Sequence, residues 1–135
     1  MVTDPPYGVD WSAAYGLFPG DVAYVWHDGV HAAEVASDLE SAGFRIRSPG
    51  IWAKQHFHIE PGNYNWQHEP YWYAVKEGQS AKWCGDSGRH LNPLGGSREE
   101  ARGHGPQKPM ELMRCPILNK SVRDDAFFDV SQRSF

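Results

Sequence analysis

A strand, a helix and a second strand follow one another between residues 22 and 47, and this order constrains the chain more than any other feature. Val22-Ala23-Tyr24-Val25-Trp26 is an unbroken apolar run, the pattern of a buried strand. His27-Asp28-Gly29 ends it. Residues 31–42 then place Ala32, Val35, Ala36 and Leu39 at helical spacing, and Gly43 suits the position just past a helix end. Phe44-Arg45-Ile46-Arg47 alternates apolar and charged, as a strand does, and Ile51-Trp52-Ala53-Lys54 extends or follows it. This βαβ order predicts a parallel sheet and an α/β domain. Pro70-Tyr71-Trp72-Tyr73-Ala74-Val75 reads as a further strand, able to pair antiparallel with Ile51–Lys54 around the Pro61-Gly62-Asn63 turn.

The rest of the chain is less regular. Residues 77–108 carry seven Gly and little periodicity and read as a loop-rich segment. Pro109 suits the first turn of a helix through Met110-Glu111-Leu112-Met113, which Pro116 bends or stops. Ala126-Phe127-Phe128 reads as a last strand. With 135 residues the chain is read as one domain, 1–135.

Composition narrows the class. Hydrophobic residues at 40% and charged residues at 22% are a globular balance and exclude a disordered chain. No apolar run approaches a membrane span and no signal peptide is evident, so a cytoplasmic protein is expected. Cys84 and Cys115 form no CxxC pair and read as ordinary small residues of a reduced protein. Aromatics at 13% imply either a Trp-rich core or a surface that stacks on flat rings such as bases. A net charge of -4 excludes a uniformly basic nucleic-acid binder. Residues 76–123, however, hold nine Lys/Arg against five Asp/Glu, so phosphate contacts are expected in the basic 77–108 segment, against the alternative of a solvated loop. His56, His58, His68 and His90 are irregularly spaced, and no metal is expected.

Asp4-Pro5-Pro6-Tyr7 carries the chemistry. An aryl amine is a poor nucleophile because its lone pair is delocalised into the ring. A carboxylate at Asp4 can accept one amine hydrogen and the Pro5 carbonyl the other, drawing the lone pair out of conjugation and stabilising the charge that develops. Proline fixes φ and so holds its carbonyl in place. Tyr7 offers a flat face to an extruded base. Gly8 permits an unusual turn.

Five blocks resemble the β-class bacterial and phage DNA amino-methyltransferases. Thr3-Asp4-Pro5-Pro6-Tyr7-Gly8-Val9 resembles the catalytic motif. Ala23–Gly29 and Phe44–Lys54 resemble the next two family strands. Asn65-Trp66-Gln67-His68-Glu69-Pro70-Tyr71-Trp72-Tyr73 resembles the block near the target base, and His104-Gly105-Pro106-Gln107-Lys108-Pro109 the block opening the helix that lines the cofactor site.

The resemblance implies a partial Rossmann-like S-adenosylmethionine-dependent methyltransferase sheet with flanking helices. It implies methyl transfer to an exocyclic amine of double-stranded DNA by direct displacement, with base flipping. Asp at position 4 favours adenine N6, and cytosine N4 stays open. By the same resemblance Asp4, Pro5, Pro6 and Tyr7 are catalytic. Asp4, His104, Gln107, Lys108, Pro109 and Asp129 bind the cofactor, and Trp66, His68 and Trp72 shape the base pocket.

The sequence also departs from the family. After Asp125-Ala126-Phe127-Phe128-Asp129 comes Val130-Ser131-Gln132-Arg133-Ser134-Phe135, without the Gly-x-Gly cofactor turn. Pro106 stands where Thr is usual, the Ser-Thr-x-Trp block is missing, and almost no strand precedes Asp4. A chain incomplete at both ends is therefore expected, with weakened S-adenosylmethionine binding. Two readings follow: a working enzyme, completed by a partner chain or a homodimer, or an inactive remnant that keeps at most nucleic-acid binding.

Overall fold

The computed structural model describes residues 1–54, 64–81, 94–95 and 117. Among the described residues five strands form one sheet in the order β1-β2-β4-β3-β5. They are β1 (Val2–Thr3), β2 (Val22–Trp26), β3 (Phe44–Ala53), β4 (His68–Lys76) and β5 (Leu94–Gly95). Helices α1 (Ser12–Gly16) and α2 (Ala32–Ser41) join the first three strands.

The expected strand–helix–strand unit is present as β2-α2-β3. The sheet is mixed, with parallel pairs from the strand–helix–strand order and the antiparallel strand the sequence also allows. β4 inserts between β2 and β3 and pairs antiparallel with both. The parallel pairs are β1 with β2 and β3 with β5. The antiparallel pairing of Ile51–Ala53 with His68–Pro70 is as anticipated, although its turn residues lie outside the described ones. Two lengths follow the sequence reading. The strand before Asp4 is only Val2–Thr3, paired with Tyr24 and Val25 of β2. Phe44–Ala53 is one strand, with an irregularity between Ile46 and Ser48 that absorbs the break in alternation. The short helix α1 and the two-residue β5 were not anticipated. Five residues and two residues are too few to leave a periodic signal.

Register explains how the aromatics are used. Val25 lies opposite Trp72 and Ala23 opposite Ala74, so these four share one face. On that face Met1, Tyr15, Phe18, Val35, Leu39 and Phe44 complete the core beneath α1 and α2. The helix stripe read from the sequence is buried as expected, with Leu39 fully enclosed. Gly43 has φ +87°, the left-handed C′ position that lets the chain turn straight into β3. On the other face Tyr24 stacks on Tyr73 at 5.1 Å between ring centroids and Trp26 tilts on Tyr71 at 4.8 Å. These rings line the sheet itself, where side-chain pairs across strands stabilise it.

The parallel strands β1, β2 and β3 end at one edge of the sheet, where antiparallel β4 begins. Loops leaving the carboxyl ends of such strands are where open α/β sheets place their ligands.

Candidate functional site

Asp4, Pro5, Pro6 and Tyr7 form the loop leaving β1 at that edge. Pro5 is buried and Asp4 half-buried, while Pro6 and Tyr7 are exposed. Two successive prolines cannot continue the sheet ladder, so the chain turns away as soon as β1 ends. Gly8 has φ +77°, and this left-handed residue redirects the chain toward α1. Trp11 then ties the loop down. Its indole Nε1 donates to the Pro6 carbonyl at 2.9 Å, and its backbone N–H donates to Asp38 Oδ2 of α2 at 3.1 Å. The Pro6 carbonyl is thereby engaged, and the Pro5 carbonyl is not the one Trp11 takes.

The Tyr7 hydroxyl donates a long hydrogen bond of 3.4 Å to Asp4 Oδ1. Desolvation raises the Tyr7 pKa well above the ordinary range. The carboxylates of Asp4, Asp28 and Glu69 add to the rise, in that order. Tyr7 therefore stays protonated at neutral pH and remains a donor to Asp4. Its ring lies nearly parallel to the His31 imidazole, with centroids 5.3 Å apart and an interplanar angle of 11°.

The loop leaving β2 supplies the other half of the site. Asp28 Oδ1 accepts the His31 backbone N–H at 2.7 Å, and both Asp28 oxygens lie 2.8 Å from His31 Nδ1. A carboxylate only accepts, so Nδ1 carries the proton. This pairing fixes His31, the residue just before α2, through both its backbone and its ring. His27 is buried beside it. Its Nδ1 lies 2.8 Å from the Asp28 carbonyl, which makes Nδ1 the donor and leaves Nε2 a bare acceptor without a partner among the described residues. Burial accordingly lowers the His27 pKa, although the Asp28 carbonyl and carboxylate pull the other way.

The expected base-pocket residues separate into two groups. Trp66 and His68 are exposed at the start of β4, with rings 5.5 Å apart. The far edge of the exposed Trp66 indole lies against Gly29, where a Cβ would make the indole move. Trp72 lies on the helix-covered face. Its Nε1 donates to the Ala32 carbonyl of α2 at 2.9 Å, and its ring meets His27 at 5.0 Å. Just past β3, Lys54 pairs with Glu69 of β4. His104, Gln107, Lys108, Pro109 and Asp129 lie outside the described residues, as does most of the basic 77–108 segment.

Sequence reasoning missed Trp11, His31, Asp28 and the Lys54–Glu69 pair. Asp28 stands four residues before Ala32, outside the position at which a capping residue is read from sequence. Trp11 and His31 act through tertiary contacts that leave no local pattern. Among the described residues no group of His, Cys, Asp or Glu could hold a metal ion. No described helix is long and apolar enough to cross a membrane.

No family model matches the chain, and no curated protein gives a significant match. Solved structures do. The crystal structure of the M1.HpyAVI–SAM complex superposes with a TM-score of 0.68 at 21% identity, covering 90% of this chain and 64% of that one. The crystal structure of M1.HpyAVI gives a TM-score of 0.72 at 19% identity, covering 95% and 65%. The chain thus spans a little under two thirds of the length of these structures. At these identities the likeness is one of fold. It agrees with the expected class, a mixed α/β sheet with flanking helices.

Proposed function

We propose that this chain carries the catalytic loop of an S-adenosylmethionine-dependent DNA methyltransferase acting on an exocyclic amine, adenine N6 in the first instance. The observation that carries this reading is the pairing of a half-buried Asp4 carboxylate with the exposed ring of Tyr7 at the carboxyl end of β1. The fold likeness to M1.HpyAVI, one structure of which is a complex with SAM, supports it.

The described residues fit a sulfonium cofactor in charge. Asp4, Asp28 and Glu69 all raise the Tyr7 pKa, and although Lys54 pairs with Glu69, the Asp4 carboxylate beside Tyr7 favours a cation there. When bound, S-adenosylmethionine supplies an activated methyl group. The chain's own residues prepare the acceptor. Tyr7 receives the extruded base on its ring. Asp4 accepts one hydrogen of the amine and the Pro5 carbonyl accepts the other, which localises the nitrogen lone pair toward the donor. The Trp11 bond to the Pro6 carbonyl and the tie to Asp38 keep this loop from shifting. Double-stranded DNA is the substrate on this reading. The basic 77–108 segment is assigned its phosphates, and Trp66 and His68 flank the base.

The test is transfer of a labelled methyl group from S-adenosylmethionine to unmethylated DNA, followed by digestion to nucleosides. The expected result is label in N6-methyladenine, lost in Asp4→Ala. Label in N4-methylcytosine would move the substrate to cytosine. Transfer that survives Asp4→Ala would overturn the role given to Asp4.

A further inference from the structure

We infer that His31, held by Asp28, is a positioning residue for Tyr7: it covers one face of the phenol ring and leaves the other for a flat heteroaromatic ring. The inference rests on the base-stacking role given to Tyr7 above, and it adds the device that fixes the plane of that ring.

Tyr7 sits in a loop with no ladder of its own, flanked by Pro6 and a left-handed Gly8. Its own chain gives it one restraint, the long bond from its hydroxyl to Asp4. A single bond at the para position leaves the ring free to rotate about its long axis. The near-parallel stack with His31 removes that freedom. His31 can serve because it is itself fixed twice: through its backbone N–H, and through Nδ1, both to the same Asp28 carboxylate. Among the described residues no other ring meets Tyr7, and the side chain stays 38% exposed. On this inference the exposed part of the ring is the face opposite His31. A base stacked there would form the third layer of a sandwich, imidazole, phenol and base, whose plane Asp28 sets through His31.

The probe is a single-stranded deoxyoligonucleotide carrying one 2-aminopurine, whose fluorescence falls when it stacks. It needs no recognition sequence and no methyl donor. The full chain is expected to quench it. His31→Ala is expected to weaken the half-saturating concentration about threefold to tenfold, the range of one aromatic pair. Tyr7→Leu, which removes the ring the base stacks on, should weaken binding at least as much. The double variant should be no worse than Tyr7→Leu, because His31 acts only through the Tyr7 ring. His31→Phe, which keeps a flat ring and the backbone tie to Asp28 but loses the Nδ1 tie, should restore part of the binding and guards against a mere loss of fold.

No quench by the unaltered chain, an unchanged affinity in His31→Ala, losses that add in the double variant, or a failure of His31→Phe to rescue would each overturn the inference. Quenching with this variant pattern but without methyl transfer would sink the enzymatic reading and leave the His31 device standing.

Discussion

Replacing Trp72 by Phe separates two roles that the sequence alone leaves mixed. In the structure the indole Nε1 donates to the Ala32 carbonyl at 2.9 Å in a half-buried setting. Phe keeps a ring against His27 and removes that donor. The bond lost is worth about 1 kcal/mol. For a domain of this size that lowers the melting temperature by roughly 3–5 °C. Trp72→Ala also removes the ring packed on His27 and the core. A fully buried Trp would cost about 3–5 kcal/mol on truncation, so a half-buried one should cost roughly 2–3 kcal/mol. Urea titration of both variants measures the pair, with the slope unchanged if both stay two-state. The 2-aminopurine quench should be the same in Trp72→Phe as in the unaltered chain. A Trp72→Phe variant that keeps its urea midpoint but loses the quench would refute this reasoning and put the indole in the base pocket.

Three other perturbations test the frame of the site. Leu39 is fully enclosed beneath the sheet, and Leu39→Ala should cost about 2–5 kcal/mol by urea denaturation; a cost below 1 kcal/mol would contradict its place in the core. Gly43→Ala forces a side chain onto φ +87° and should cost about 1 kcal/mol, read as a lower melting temperature. Burial lowers the His27 pKa below its ordinary 6.5, so the unfolded chain takes up a proton that the folded chain refuses. The stability from neutral His27 is complete above the unfolded pKa and is lost as pH falls below it. Melting at about pH 7.5 and about pH 5.5 should show a larger drop for the unaltered chain than for His27→Gln, and equal drops would remove His27 as the cause.

Much of the frame was legible because its signals are local. The α2 stripe of Val35 and Leu39, the Gly43 stop and the apolar run Val22–Trp26 each follow from spacing within a few residues. The place of β4 was not legible. Its insertion between β2 and β3 depends on Trp72 meeting Val25 on one side and Pro49 on the other, a choice of neighbours that no residue of β4 declares alone. Pro70 even argues against a central strand, since it lacks a ladder donor. It is tolerated because β2 ends at Trp26, and the Pro70 carbonyl still accepts the His27 N–H at 3.1 Å. The same limit applied to the site. Asp4-Pro5-Pro6-Tyr7 announces itself in four consecutive letters, whereas its supports come from three other elements.

Those supports converge on α2. Asp38, in its second half, holds the Trp11 backbone, and Trp11 holds the Pro6 carbonyl. His31, at its cap, holds the Tyr7 ring. Ala32, its first residue, is held to β4 by Trp72. The Asp4–Tyr7 loop, which two prolines exclude from regular structure, thus borrows its rigidity from one helix at two points. A rotation of α2 on the sheet would move both points together and carry Tyr7 with them. Core positions under α2, such as Val35, should therefore affect the stacking face of Tyr7 although they never touch it, while changes on the far Tyr24–Tyr73 face should alter stability and leave that plane where it is.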